Sequence, residues 1–300
     1  MNTKSFTLIE LLVVIVIIGI LAGAIMISTS SSISKASLAK AQAFSKTVQN
    51  ELLLNLVSEW TFDEGSGVID SNATAFDLKD VWSNNDGTLT GSLILRDGDN
   101  CIFGKCLESD GLTANYFNVG QDSYTNDLAI QGNITIEVWF NVQAVISGSC
   151  LVSQKVADGT VTHGRGITLN SDNLIHIWTR DATHVWREVS TPFEYNIWNH
   201  AVLIQNGNAI TGYLNGKALT TFNMTGNMGG FYYGYFRVGN YTHSSYLYDG
   251  FIDDVRVYNT SLSSADIRKN YGLGLNSLLS KGSISKEEYN KRIEKLGNNF

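Results

Sequence analysis

Residues 6–27 read FTLIELLVVIVIIGILAGAIMI, an apolar run interrupted by a single ionisable side chain, Glu10. At about 1.5 Å rise per residue a helix of this length crosses a hydrocarbon core of roughly 30 Å, so the run predicts a membrane-spanning helix that carries the rest of the chain at its outer end. A secretory signal peptide has a shorter apolar core, about 7 to 15 residues, and ends at a small-residue cleavage site. Placing the Glu10 carboxyl in lipid costs on the order of 2 to 3 kcal/mol, which makes it either a functional acid or a group held at headgroup level. Gly19 and Gly23 stand four apart beside Ala22 and Ala24, a spacing that lets helix backbones approach closely. Lys4 lies on one side of the run and Lys35, Lys40 and Lys46 on the other, so charge counting leaves the orientation open.

Lys4-Ser5-Phe6-Thr7-Leu8-Ile9-Glu10, followed at once by the apolar run, resembles the leader-peptidase site of type IV prepilins and pseudopilins. The resemblance implies a leader of residues 1–5, cut by a prepilin peptidase between Ser5 and Phe6, then N-methylation of Phe6 and a filament-assembly role for Glu10. Ser5 departs from the glycine usual before the cut. It also implies a bacterial inner-membrane precursor whose mature form assembles with itself or other pilins in a filament at the cell surface. Physical chemistry agrees with this. An amine freed at Phe6 is a cation able to neutralise Glu10 of a neighbouring helix, and in a low-dielectric filament core that pairing offsets the cost of burial.

From Ser28 to Val57 there is neither Gly nor Pro, and Phe44, Val48, Leu52 and Leu56 recur every four residues as one face of a helix. A pilin-type helix is therefore expected over residues 6–56, with its membrane part at 6–27. The serines between Ser28 and Ser32 are poor helix formers and loosen it at that point. Beyond Val57 the pattern changes. With 28 Gly, one Pro and 11% aromatic residues, the chain suits a turn-rich β domain, and 300 residues at 43% hydrophobic content suffice to bury one. A net charge of -7 argues against a nucleic-acid partner.

Ile134, Ile136, Val138, Phe140 and Val142 alternate with Thr135, Glu137, Trp139 and Asn141, which predicts a half-buried strand. Further strands are expected at Glu59–Phe62, Thr88–Leu95, Tyr116–Val119, Cys150–Gln154, Leu174–Thr179, Trp198–Gln205 and Ile210–Leu214, with hairpin turns at Asn206-Gly207 and Asn215-Gly216. Many short strands at such spacing read as a sandwich or barrel. Cys101 and Cys106, with Gly104 between them, can close a small loop by a disulfide in an oxidising compartment, leaving Cys150 odd.

Trp60-Thr61-Phe62-Asp63-Glu64-Gly65-Ser66-Gly67, Asn85-Asp86-Gly87, Phe103-Gly104-Lys105-Cys106, Trp198-Asn199-His200, Tyr213-Leu214-Asn215-Gly216 and Gly250-Phe251-Ile252-Asp253-Asp254-Val255-Arg256-Val257-Tyr258 follow one another in an order similar to a laminin-G-like domain. The resemblance covers residues 57–271. The expected fold class is mostly β: a long N-terminal hydrophobic α-helix, a concanavalin A-like antiparallel β-sandwich (jelly roll) and a short C-terminal helical tail. Members of this family often hold a structural calcium, and the acids at the strand ends, Asp63, Asp110, Asp253 and Asp254, are the hard oxygen ligands it implies here. Ala114-Asn115 and Ser109 depart from the family's pattern near Asp110.

Catalysis is not expected. A retaining glucanase needs two acids about 5 Å apart, and the central strand offers only Glu137, while the five histidines form no metal or nucleophile motif. Binding fits better. Tyr232, Tyr233 and Tyr235 lie in an aromatic, Gly-broken stretch that either packs in a core or stacks on a glycan or a surface-protein ligand, and Trp178 and Trp186 present the same choice. Ser263 with Asp266 signals a helix ending at Gly272. Residues 272–300 resemble the short helical motif called SHOCT, with Ser285 and Glu288 as a capping box ahead of Tyr289, Ile293 and Leu296. So small a hairpin either docks, self-associates or stays solvated. The whole reads as a pilin-like or pseudopilin subunit displaying a laminin-G-like binding domain, with a membrane-anchored, non-polymerising carbohydrate- or protein-binding adhesin as the alternative.

Overall fold

The computed structural model describes residues 53–297 apart from 64–66, 71–76, 99, 112–115, 120–127, 129, 131, 146–148, 158–161, 182, 227–233 and 240–247, and upstream only residues 12, 13, 15 and 16. Leu12, Val13, Ile15 and Val16 are helical, and the rest of the expected helix up to residue 52 lies outside the described residues; its expected end at residue 56 is not helical, because Leu54 and Asn55 turn the chain and Leu56 opens the first strand by pairing with Tyr258. No helix among the described residues is long and apolar enough to cross a membrane. Two compact units divide the chain, Met1–Leu54 and Asn55–Phe300, and the architecture below is that of the second.

In chain order the strands are β1 (Leu56–Trp60), β2 (Gly67–Asp70), β3 (Asp77–Leu78), β4 (Gly87–Thr90), β5 (Ser92–Asp97), β6 (Lys105–Asp110), β7 (Tyr116–Val119), β8 (Ile134–Val145) and β9 (Ser149–Ala157). They continue with β10 (Thr162–Leu169), β11 (Leu174–Arg180), β12 (Trp186–Pro192), β13 (Asn199–Asn206), β14 (Ala209–Leu214), β15 (Lys217–Ala218), β16 (Phe222–Asn223), β17 (Gly234–Val238) and β18 (Tyr248–Tyr258). Helices α1 (Ser264–Lys281) and α2 (Lys286–Gly297) follow. The strands form two antiparallel sheets. Sheet A has the order β15-β14-β13-β8-β18-β6-β5-β2, with β1 on β18 and β16 on β14, and sheet B the order β12-β11-β10-β9-β17-β7-β4-β3.

The core between the sheets takes every second residue from each strand, as the side-chain period of two requires: Ile136, Val138 and Phe140 from β8, Val152 from β9, Ile167 from β10, Ile177 from β11 and Phe236 from β17. Trp60 stacks on Phe236 with ring centroids 5.3 Å apart and so ties β1 of one sheet to β17 of the other. The expected strand Thr88–Leu95 is two strands. Gly91, at φ 87°, turns the chain so that β4 joins sheet B and β5 sheet A. At the first Asn-Gly dipeptide the hairpin closes one residue later than expected, because Asn206 pairs with Ala209 and leaves Gly207 and Asn208 in the turn.

The polar face of β8 is not solvated. Thr135, Glu137 and Trp139 are as buried as the apolar residues between them, because α1 lies across the outside of sheet A. Ser263 and Asp266 cap the start of α1 reciprocally, but the helix runs through Gly272 to Lys281 and ends at Gly282 in the left-handed conformation. What carries it past Gly272 is packing: Tyr271, Leu275 and Leu278 bury against Trp139 and Trp198, and Trp139 stacks on Tyr271 with centroids 5.6 Å apart. At Gly274 a Cβ would collide with the Trp139 ring, so the helix approaches the sheet there only without a side chain. α2 docks as well. Arg292, itself buried, donates from Nη1 to the Trp198 carbonyl at 3.0 Å, and Tyr289, Ile293 and Leu296 pack on the same cluster.

Candidate metal centre and binding face

β1 and β6 share one side of β18, β1 lying along Val255–Tyr258 and β6 along Asp249–Ile252. The hand-over falls at Asp253-Asp254. Across β18 the register jumps, Asp253 facing Trp139 and Arg256 facing Glu137, so that Asp254 and Val255 form a bulge in which Asp254 has φ 52°. Both acids are thereby buried. Asp253 Oδ2 accepts the backbone N–H groups of Ile102 at 2.9 Å and Phe103 at 3.1 Å, while its Oδ1 has no hydrogen-bond partner. Asp254 Oδ1 pairs with Arg256 Nη2 at 2.8 Å, and its Oδ2 likewise has no partner.

The loop that meets Asp253 is closed by the Cys101–Cys106 disulfide, while Cys150 is buried and unbridged. Burial pushes the Cys150 thiol up to about 12. Asp63 reaches the same loop: its Oδ1 accepts the Lys105 N–H at 2.7 Å, and its carboxylate fills the space beside Gly104 that a Cβ would take. Burial first, then the charge of Asp254, pushes Asp253 well above the usual carboxylate range against the pull of the two loop N–H groups, and Asp63 adds to it. Burial lifts Asp254 to about 7; Arg256 opposes this, while Glu59, Glu137 and Asp63 reinforce it. Negative charge is thus in excess at this corner, and two buried carboxylate oxygens point at no donor. Hard oxygens in that state fit a divalent cation, which would remove the repulsion. Among the described residues no three His, Cys, Asp or Glu side chains converge on one point, so a cation here would draw further donors from backbone carbonyls or water.

Asp110 is not brought to this corner. It ends β6 opposite Asp249 in the register, and Asp249 is raised above its ordinary value by burial and then by Asp110 and Glu108. Arg256, which sequence reasoning did not single out, organises the other side. It pairs with Glu59 at 2.6 Å and lies 3.7 Å from Glu137. Glu137 is 1% exposed beneath α1, accepting from Tyr258 at 2.9 Å and Asn270 at 3.0 Å, with His200 Nε2 3.3 Å away. Burial would raise its pKa, but the close approach of His200, the Arg256 charge and the Asn270 hydrogen bond outweigh it and hold Glu137 down at about 2. A carboxylate so sealed and so fully paired acts as a structural anion.

The outer face of sheet B carries a stacked pair of tryptophans outside the core between the sheets. Trp178 and Trp186 stack with centroids 4.4 Å apart, and Trp186 is 46% exposed. His176 lies between two carboxylates, 3.0 Å from Asp172 and 3.2 Å from Glu188. His184, at φ 67°, stands in the β11–β12 loop. Of the other predicted residues, Ser5, Phe6, Glu10, Tyr232 and Tyr233 lie outside the described residues, and Tyr235 is described only as backbone of β17.

Residues 113–268 match the family model described as the concanavalin A-like lectin/glucanases superfamily, and residues 1–26 match the prokaryotic N-terminal methylation motif. No curated protein matches the chain. Domain 4 of AbnA, a GH43 extracellular arabinanase from Geobacillus stearothermophilus solved in complex with arabinotriose, is 17% identical with a TM-score of 0.56; the match covers 71% of this chain and 97% of that one. The binding domain of Paraclostridial Mosquitocidal Protein 1 is also 17% identical at TM-score 0.54, covering 75% of this chain and 53% of that one. A Trypanosoma rangeli sialidase is 13% identical at TM-score 0.52, covering 72% of this chain and 32% of that one. The chain therefore spans about half or less of the toxin and sialidase chains, and at these identities the likeness is one of fold. With the family model covering more than half of its residues, and with paired antiparallel sheets behind it, the chain belongs to the concanavalin A-like lectin/glucanases superfamily.

Proposed function

We propose that the chain is a type IV pilin-like or pseudopilin subunit: its N-terminal helix builds a filament and its lectin-like sandwich is displayed at the cell surface to bind a glycan. The observation that carries this reading is the joining, in one chain, of the prokaryotic methylation motif at residues 1–26 to the superfamily domain at 113–268. A prepilin peptidase removes residues 1–5, Phe6 becomes the N-methylated terminus, and its amine neutralises Glu10 of a neighbouring helix. The head binds and does not catalyse. Glu137, the one acid of the central strand, is closed off beneath α1, where no substrate reaches it. Asp253 and Asp254, through their unpartnered oxygens, would hold a calcium ion together with backbone carbonyls or water, and the ion would supply positive charge to the corner where β1, β6 and β18 meet.

Substituting Glu10→Leu tests assembly. The reading predicts loss of filaments with the subunit still present in the membrane. Filaments formed at wild-type levels would leave the membrane-anchored, non-polymerising adhesin as the better account.

A further inference from the structure

β12 is the edge strand of sheet B, and its outer face is exposed along its whole length. Trp186 opens that face. One side of its indole is taken by Trp178, which is buried and in turn lies over Gly166 of β10, where a Cβ would come within 2.9 Å of the Trp178 ring. Its Nε1–H donates to Glu188 Oε2 at 2.9 Å, and the other Glu188 oxygen lies 3.2 Å from His176 Nδ1. The ring is thus held by stacking on one face and by a hydrogen bond at its edge, with the second face open to solvent.

The loop ahead of it is fixed with equal care. Asp181, buried at the end of β11, accepts the N–H groups of Thr183 and Val185 and the Thr183 hydroxyl with Oδ1. Its Oδ2 accepts the Thr225 N–H and hydroxyl and the Gly226 N–H. A large apolar ring that packs in no core and is pre-oriented by its own loop suits a ligand better than it suits stability, since exposed indole is a hydration cost until something covers it.

The geometry points to a saccharide subsite at Trp186, in which a neutral sugar ring lays its C–H face on the open indole and gives hydroxyl protons to the carboxylates of Glu188 and Asp172. The C–H edges of a sugar carry partial positive charge that matches the negative face of the ring system. Two acids on the rim accept hydroxyls strongly and repel a carboxylated or sulfated sugar. Arg180, opposite Trp186 in the register, turns to the loop ahead of it, its Nε donating to the His184 carbonyl at 3.4 Å. This inference rests on the lectin-like reading of the head and gives it a place and a ligand class.

Full-length protein in detergent micelles, titrated with cellotetraose, maltotetraose and mannotetraose and with an acidic tetragalacturonate, tests it by calorimetry and by acrylamide quenching of tryptophan fluorescence. The expected result is that a neutral tetrasaccharide binds and shields tryptophan, that Trp186→Ala weakens binding about tenfold or more, and that Trp186→Phe, which keeps a smaller platform, falls between. Trp82→Ala, at an exposed tryptophan outside sheet B's outer face, should bind as the wild type does. Undiminished binding by Trp186→Ala would overturn the subsite and leave the lectin-like reading standing. Preference for the acidic saccharide would overturn its chemistry. Failure of the wild type to bind any of the four would overturn the lectin-like reading and the subsite with it.

Discussion

Glu137 is the residue whose ionisation the fold uses most directly. Its folded value of about 2 lies below the ordinary 4.5, so the folded state binds fewer protons than the unfolded one between those values. The stability it contributes is fully present above pH 4.5 and is lost as pH falls through the folded value. A difference of this size is on the order of 3 kcal/mol. Urea denaturation at pH 5.5, 3.5 and 2.5 should show a fall in stability that Glu137→Gln largely removes, the variant being weaker throughout the upper range. An unchanged slope in the variant would show that other carboxylates carry it. At the acid corner the expectation is different. In the presence of calcium at about one hundred times its Kd, the wild type should gain roughly 2.7 kcal/mol over the chelated protein, and Asp253→Asn should lose that gain. Equal melting with and without calcium would end the metal assignment.

At the scale of elements, α1 offers two glycines with opposite expectations. Gly272 faces open space and Gly274 faces the Trp139 ring. Gly272→Ala should stabilise by about 0.5 to 1 kcal/mol through helix propensity. Gly274→Ala should destabilise by roughly 1 to 3 kcal/mol through overpacking. Chemical denaturation of the two variants reads both signs, and matching signs would contradict the close approach of helix and sheet. The disulfide loop is the other element with a measurable role. Its short span limits the entropic gain from closure to about 2 kcal/mol, but it also holds the Ile102 and Phe103 N–H groups against Asp253. Reduction should therefore lower thermal stability and weaken calcium binding together.

For the whole molecule, legibility in the sequence followed periodicity and stopped where context took over. β7, β11 and β14 emerged almost to the residue from alternation and turn chemistry, as did the capping of α1. The division of Thr88–Leu95 between two sheets did not, because a lone Gly91 inside an apolar run reads as an interruption and not as a crossing. Nor did the length of α1: Gly272 is a stop signal by local rules, and only the distant Trp139 overrides it. Within the candidate site, Asp253 and Asp254 were visible as paired acids beside a glycine. The bulge that buries them and the place of Arg256 among Glu59, Asp254 and Glu137 depend on pairing across the chain's full length. Asp181 left a faint local trace, an acid two residues before Thr183 at a strand end, which is the signature of a side chain that caps its own loop.

Everything proposed for the filament rests on conversion of the leader end into a charged, methylated Phe6 beside Glu10. Intact-mass measurement of the full-length protein extracted from membranes of cells with an active prepilin peptidase tests this most directly. The account predicts a mass corresponding to a chain that begins at Phe6 and carries one methyl group, with Cys101 and Cys106 oxidised. A chain that still begins at Met1 in those cells would contradict it.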